Sequence, residues 1–323
     1  MTQLSRHGES FQGQNFGICT ILSCPSTDHY GVEIDGIYLQ PAFQSRHRSE
    51  TAPSEPCPTV VLIHGGPRAR VTNAFNTLYY MWTPYLLSLG YGVLLPNYRG
   101  SSGRGAEFSS FSYGGIGVHD YADIITLTQY AIKTGHADPD RLVVGGYSHG
   151  GLLANLCTIR NRSHEYGWEF KAVISGAGIS DVDTMSLTAD MSDAYQAELH
   201  EDASPWTMSA DDASTRTASV LWAFKEAMAR SNSDRSSVIP PMLILHGAND
   251  QRCHISQAQG LRRALEYYSL PFEMVVYPRQ GHIFHEQYFW IDMALRMGRW
   301  VEQHIGPGTS GPSNDTSKFQ CIT

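Results

Sequence analysis

From Val60 onward the apolar residues come in short unbroken runs, each closed by glycine or a polar cluster: Val60–Ile63, Val93–Leu95, Leu142–Val144, Ala172–Ile174, Met242–Leu245 and Met274–Tyr277. Runs this short, without polar alternation, are the pattern of strands buried on both faces. Longer periodic segments lie between them. Val118, Tyr121, Ile125, Thr128 and Ile132 fall on one face at helical spacing, and Leu261, Leu265 and Tyr268 do so within Ser256–Tyr268. Strands alternating with helices predict βαβ units, hence an α/β fold with a mostly parallel sheet of about eight strands covered on both faces. Upstream, Phe16–Ser23 and Gly31–Gln40 read as two more strands.

Three stretches break this rhythm. Residues 44–58 are rich in Ser, Pro, Glu and Arg and predict a surface loop. The segment 183–237 holds a polar loop, Asp190–Ser214, and a helix near Ala218–Arg230, which together predict a short helical cap. Gly306–Thr323 has few apolar residues and is expected to be disordered. The expected organisation is therefore N-terminal strands and loop at 1–58, an α/β domain at 59–305 carrying the cap, and a tail at 306–323. There is no internal repeat.

Composition narrows the function. The chain has 323 residues, 41% of them hydrophobic, and a formal charge of −8. A length of this order buries a full core without disulfides. With 31 acidic against 23 basic residues there is no counter-charge for a phosphate backbone, so no nucleic-acid partner is expected. No apolar stretch approaches the ~20 residues of a membrane span, and Phe16–Cys24 lacks the flanks of a signal peptide, so no membrane partner is expected either. Six cysteines without paired spacing suit a reducing, cytoplasmic setting.

The sharpest chemical signal is Gly146-Tyr-Ser148-His-Gly150, directly after an apolar run and before the helical pattern Leu152–Leu156. A serine nucleophile needs a tight strand-to-helix turn whose neighbours carry no Cβ, with a helix N-terminus to favour developing negative charge. A glycine-rich turn alone would give the same letters; the strand before and the helix after favour the nucleophile. The hydroxyl needs a base, and the base an orienting carboxylate. Two later strand ends carry them: Asp250 follows Met242–Leu245, and His282 follows Val275–Tyr277. The order Ser148, Asp250, His282 is that of α/β-hydrolases. A tetrahedral oxyanion needs two N–H donors. The amide after the nucleophile, at His149, is one; Gly66, or as second choice Gly65, in the loop after Val60–Ile63 is the other.

His64-Gly-Gly-Pro67, Asn97-Tyr-Arg-Gly100 with Ser101–Gly105, Gly146–Gly151, Leu245–Arg252 and Gly281-His282 occur in that order. Together they resemble the catalytic domain of the prolyl oligopeptidase family of serine peptidases, in its acylaminoacyl-peptidase and dipeptidyl-peptidase-like branch. The resemblance spans about residues 30–304 and implies the same triad. It also implies that Arg252 holds a substrate carbonyl, that Ile179, Val182 and Met185 in Ile179–Met185 wall the acyl pocket, and that Arg99 forms a buried ion pair. Some members donate a Tyr hydroxyl to the oxyanion where this chain has His64, and most have Pro where it has His254. Relatives place a β-propeller before this domain; the 58 residues ahead of the strand leading to His64 are too few for one.

Other constellations carry no chemistry. His282-Ile-Phe-His285-Glu286 matches no zinc motif, leaving His285 as a polar helix-face residue, and Gly100–Gly105 lacks dinucleotide spacing. No metal or cofactor is implied. Tyr288-Phe-Trp290 with Ile291 and Leu295 reads as a core-facing helix, and Asp120 and Asp123 as helix-dipole partners. The resulting expectation is an acyl-enzyme serine hydrolase, peptidase-like, acting on short or acylated peptides, with a possible homodimer. The alternatives are a stand-alone esterase or small-molecule tailoring hydrolase and, less favoured, a non-catalytic binding scaffold.

Overall fold

The computed structural model describes residues 17–41, 55–74, 82–191, 206–207, 209, 215–230, 239–307 and 321–322. The strands are β1 Ile18–Pro25, β2 Glu33–Gln40, β3 Cys57–Ile63, β4 Gly92–Asn97, β5 Ala137–Tyr147, β6 Ala172–Gly176, β7 Met242–Gly247, β8 Phe272–Tyr277 and β9 Cys321–Ile322. They form one nine-stranded sheet in the order β1-β2-β4-β3-β5-β6-β7-β8-β9. β1 and β2 run antiparallel at one edge, β2 meets β4 antiparallel, and every later pairing is parallel. The N-terminal strands thus extend the same sheet as the rest. Every apolar run named above lies in one of these strands.

The helices are α1 Trp82–Ser88, α2 Ala106–Ser110, α3 His119–Lys133, α4 His149–Ile159, α5 Val182–Thr188, α6 Val220–Ala229, α7 Ser256–Tyr267 and α8 Gln287–Ile305. They cover both faces, because alternate residues of each buried strand point to opposite sides. Val61, Ile63, Met242 and Ile244 pack with α3, α4, α6 and α7, whereas Val60, Leu62, Leu243 and Leu245 pack with α1 and α8.

The structure corrects four sequence expectations here. In the tail, Cys321–Ile322 pair with Met274 and Val275 of β8 as a ninth strand, so the tail is not structureless throughout; 308–320 lie outside the described residues. On α8 the core face is Met293, Met297, Trp300, Val301 and Ile305, with Phe289 and Trp290 packed against it as expected, while Tyr288, Ile291 and Leu295 are exposed. Apolar residues on several sides of that stretch hid its phase. His285 precedes α8 in a turn, its amide held by the Gln280 side chain, and is not on a helix face. Asp123 is more than a helix-dipole partner: buried in α3, it takes the Arg99 guanidinium through Nε and Nη2 at 2.8 and 2.7 Å, while Arg99 Nη1 reaches Asp28 at 2.6 Å. The expected buried ion pair of Arg99 is therefore present. Asp120 does sit in the first turn of α3, accepting from the Gly117 amide at 2.7 Å. Of the cap, α5, a 3₁₀ turn at Thr215–Thr217 and α6 are described, α6 burying Val220, Phe224 and Ala227; most of the polar loop 190–214 and of the surface loop 44–58 lies outside the described residues.

Candidate active site

Ser148 sits between β5 and α4 with φ 60° and ψ −123°, a left-handed conformation that a non-glycine residue holds only when its surroundings enforce it. Its neighbours do so. A Cβ at Gly146 would stand 2.2 Å from the Gly150 carbonyl oxygen, and one at Gly150 would stand 2.1 Å from that of Ile63. Both glycines of the motif are thus required by backbone running against backbone. The Ser148 amide donates to Gly176 of β6 at 2.9 Å, which fixes the turn against the sheet.

The loops after β7 and β8 bring the other two residues in. Asp250 is fully buried and its Oδ1 accepts the amides of Arg252 and Cys253, both at 2.9 Å. Its Oδ2 accepts from His282 Nδ1 at 2.8 Å, and the Ser148 hydroxyl lies 3.0 Å from His282 Nε2. With Nδ1–H committed to the carboxylate, Nε2 is left as the acceptor for the hydroxyl proton. Tyr147 donates its hydroxyl to the His282 carbonyl at 2.6 Å, anchoring the histidine loop to the strand that bears the nucleophile.

The His64–Pro67 loop flanks Ser148. A Cβ at Gly65 would lie 3.0 Å from the Tyr147 carbonyl oxygen and 3.4 Å from Ser148 Cβ, so the loop runs close against the turn that bears Ser148. Gly66 has φ 133° and stands exposed beyond it. The His64 ring points into the core, stacked on Tyr98 with centroids 4.3 Å apart, and contacts Ser101 Oγ at 3.0 Å. Burial holds it down at about 4, so it is neutral at pH 7. His149 starts α4; its buried ring lies 3.4 Å from Asp120 Oδ2, leaving its backbone at the helix N-terminus.

Arg252 is paired with Asp190, which follows α5: Nε to Oδ1 at 2.5 Å and Nη2 to Oδ2 at 3.4 Å. Ile179, Val182 and Met185, expected to wall the pocket, are buried in the core shared with α4 and α6. Asp181 caps α5 through the Thr184 amide at 2.9 Å and turns its apolar face inward, so these residues offer a substrate no surface. His254 lies just before α7, with Nδ1 3.0 Å from Ser256 Oγ.

Sequence reasoning missed three neighbours of the triad. Cys253 has its sulfur 4.0 Å from Ser148 Oγ, and burial pushes its thiol far up, so it stays protonated. His246 on β7 approaches Asp250 Oδ2 at 3.6 Å and donates from Nε2 to the Cys253 carbonyl at 2.6 Å. Asp190 completes the set. Only the place of Cys253 and His246 beside Asp250 in the chain hinted at the first two; nothing hinted at Asp190. Among the described residues no cluster of three or more His, Cys, Asp or Glu could hold a metal ion, and no helix is long and apolar enough to cross a membrane.

Residues 78–308 match the prolyl oligopeptidase family, Peptidase_S9. The chain belongs to that family. It is similar to the acylamino-acid-releasing enzyme of Sus scrofa, 24% identical over 309 residues covering 92% of this chain and 38% of the relative. The uncharacterized peptidase YuxL of Bacillus subtilis (strain 168) is 30% identical over 253 residues, 78% of this chain and 34% of its own length. In architecture the chain resembles the uncomplexed Pyrococcus horikoshii acylaminoacyl peptidase, with a TM-score of 0.77 at 21% identity over 96% of this chain and 46% of that one. It therefore spans little more than a third of the length of the curated relatives named here. The α/β-hydrolase architecture expected from the sequence is the one the family and this neighbour share.

Proposed function

We propose that the chain is a serine hydrolase of peptidase type, working through an acyl-enzyme on short or acylated peptides. The observation that carries this is the continuous run Asp250–His282–Ser148, with its links of 2.8 and 3.0 Å. Ser148 attacks the substrate carbonyl as His282 Nε2 takes its proton. The amides of His149 and Gly66 receive the oxyanion, a donor pair whose members are typically worth about 3–4 kcal/mol each. His282 then gives the proton to the leaving amine, and water enters by the same base to release the acyl group. Asp250 holds the imidazole tautomer and balances its transient charge. Arg252 grips the carbonyl preceding the scissile residue.

The test is labelling by a fluorophosphonate probe, followed by kcat/KM on an N-acetylated amino-acid anilide and a short p-nitrophenyl ester, with Ser148→Ala as control. Labelling with anilide turnover that Ser148→Ala abolishes supports the reading. Ester turnover without anilide turnover would replace it by a stand-alone esterase, and absence of both labelling and turnover would leave a binding scaffold. We further propose a reducing compartment, supported by the free thiols Cys19, Cys24, Cys157 and Cys253. We also propose a homodimer, supported by the exposed stripe Tyr288, Ile291 and Leu295 on α8. Sedimentation velocity tests the latter, and a monomer at micromolar concentration would exclude it.

A further inference from the structure

Arg252 and Asp190 stand 62 residues apart in sequence and meet side-on, Nε and Nη2 of the guanidinium facing the two carboxylate oxygens. A second bond ties the same segments, from the Asp190 amide to the Gln251 carbonyl at 2.8 Å. The carboxylate is thus held on the loop that carries Asp250. Both side chains are partly exposed, 39% and 46%, and an ion pair of that kind contributes little to stability. Its effect falls on the guanidinium. A planar fork held along its Nε–Nη2 edge cannot rotate, and the Nη1 edge, which makes no hydrogen bond among the described residues, faces elsewhere with two donors.

Charge follows from the same geometry. An unpaired arginine at this position, two residues after Asp250 and next to Cys253, whose sulfur lies 4.0 Å from Ser148 Oγ, would draw in an anionic acyl group. Paired with Asp190 it presents donors without net charge, which suits a neutral carbonyl oxygen and penalises a carboxylate through the nearby Asp190 oxygens. We propose that Asp190 is a specificity-determining residue: it orients Arg252 and cancels its charge, so that the acyl side of the site accepts neutral peptide or N-acyl carbonyls and discriminates against acidic groups there. This rests on the serine-hydrolase reading above.

The experiment compares kcat/KM for N-acetyl-alanine and N-succinyl-alanine p-nitroanilides, and for their p-nitrophenyl esters, in the wild-type chain, Asp190→Asn, and Asp190→Asn combined with Arg252→Ala. Only the ratio of the two acyl groups is read, so a general loss of activity cancels. The wild type is expected to favour the acetyl substrate, with a ratio insensitive to salt. Asp190→Asn keeps an acceptor for Nε–H but removes the negative charge, and should shift the ratio about 10-fold toward succinyl at 50 mM salt, the shift shrinking at 1 M. Adding Arg252→Ala should abolish the shift. A ratio that moves less than 2-fold in Asp190→Asn, or a shift that survives loss of Arg252, overturns the proposal. If the wild type turns over neither anilides nor esters and no probe labels Ser148, the hydrolase reading fails first and takes this one with it.

Discussion

Gly150→Ala tests the claim that close backbone packing, and not the identity of the triad alone, places the nucleophile. The added methyl would stand 2.1 Å from the Ile63 carbonyl oxygen, 2.7 Å from that of His64 and 2.8 Å from the Ile63 carbonyl carbon. All three atoms belong to β3 and the loop leaving it, in the middle of the sheet, where no flexible side chain can give way. Ordinary contact begins near 3.4 Å, so the start of α4 must retreat by roughly 1.3 Å, carrying Ser148 with it. A displacement of about 1 Å in a reacting group costs on the order of 100-fold in rate. Overpacking of this kind costs about 1–3 kcal/mol, or a fall in Tm of about 1.5–4.5 °C for a chain of 323 residues, leaving it folded at 25 °C. The assay is kcat/KM on a p-nitrophenyl ester, with near-ultraviolet circular dichroism to confirm the fold. Gly281→Ala is the control: it adjoins His282, yet its methyl would meet only the Asn249 carbonyl oxygen at 3.8 Å, and its activity should stay within about 3-fold. A folded Gly150→Ala enzyme retaining more than a third of wild-type kcat/KM would refute the reasoning.

Further outcomes follow from the same structure. Tyr147→Phe removes the 2.6 Å bond to the His282 carbonyl and should lower kcat about 10-fold with little change in Tm; an unchanged kcat would mean that the loop needs no such anchor. Arg99→Leu leaves Asp123 buried without its partner and should cost about 3–5 kcal/mol in urea unfolding, whereas a loss below about 1 kcal/mol would mean that water replaces the guanidinium. His64 is held at about 4 by burial against an ordinary 6.5, so between those values the unfolded chain takes up a proton that the folded chain refuses. Its contribution to stability is therefore full above pH 6.5 and is lost as pH falls toward 4, by up to about 1.4 kcal/mol per pH unit. His64→Gln should flatten that part of the stability profile measured by denaturant titration, and an identical slope would contradict the neutral, buried ring.

The parallel sheet and the meeting of Ser148, Asp250 and His282 were legible in the sequence because both are written in local signals. Short apolar runs mark strands buried twice over, and each of the three residues follows such a run within a few positions. The glycines of 146–150 announce a close approach that the 2.1 and 2.2 Å positions of their absent methyls bear out. What stayed hidden depends on distant partners or on helix phase. Asp123 reads as a helix-dipole partner until Arg99, from another loop, reaches it. Asp190 sits in a polar stretch whose composition says only solvent. Ile179, Val182 and Met185 were placed in the pocket by resemblance, but all three are buried in the core, Val182 and Met185 on the inward face of the seven-residue helix and Ile179 in the segment just before it.

The spatial order of the site also explains why the histidine loop is so heavily tied down. β5 and β8 are separated by β6 and β7, a span of roughly 14 Å at ordinary strand spacing. His282 leaves β8 yet must touch Ser148 at the end of β5, so its loop has to arch back over β7. Asp250, on the β7 loop, lies under that arch and meets the imidazole from its Nδ1 side while Ser148 meets it from the other. Three contacts hold the arch. Gly247 lets the two loops touch, since a Cβ there would stand 2.6 Å from the carbonyl oxygens of Gln280 and Gly281. The Asn249 amide donates to the Gln280 carbonyl at 2.8 Å, and Tyr147 reaches the His282 carbonyl from the far strand. The loop bearing His282 is thus held at three points, with the imidazole set between a fixed carboxylate on its Nδ1 side and a fixed hydroxyl on its Nε2 side.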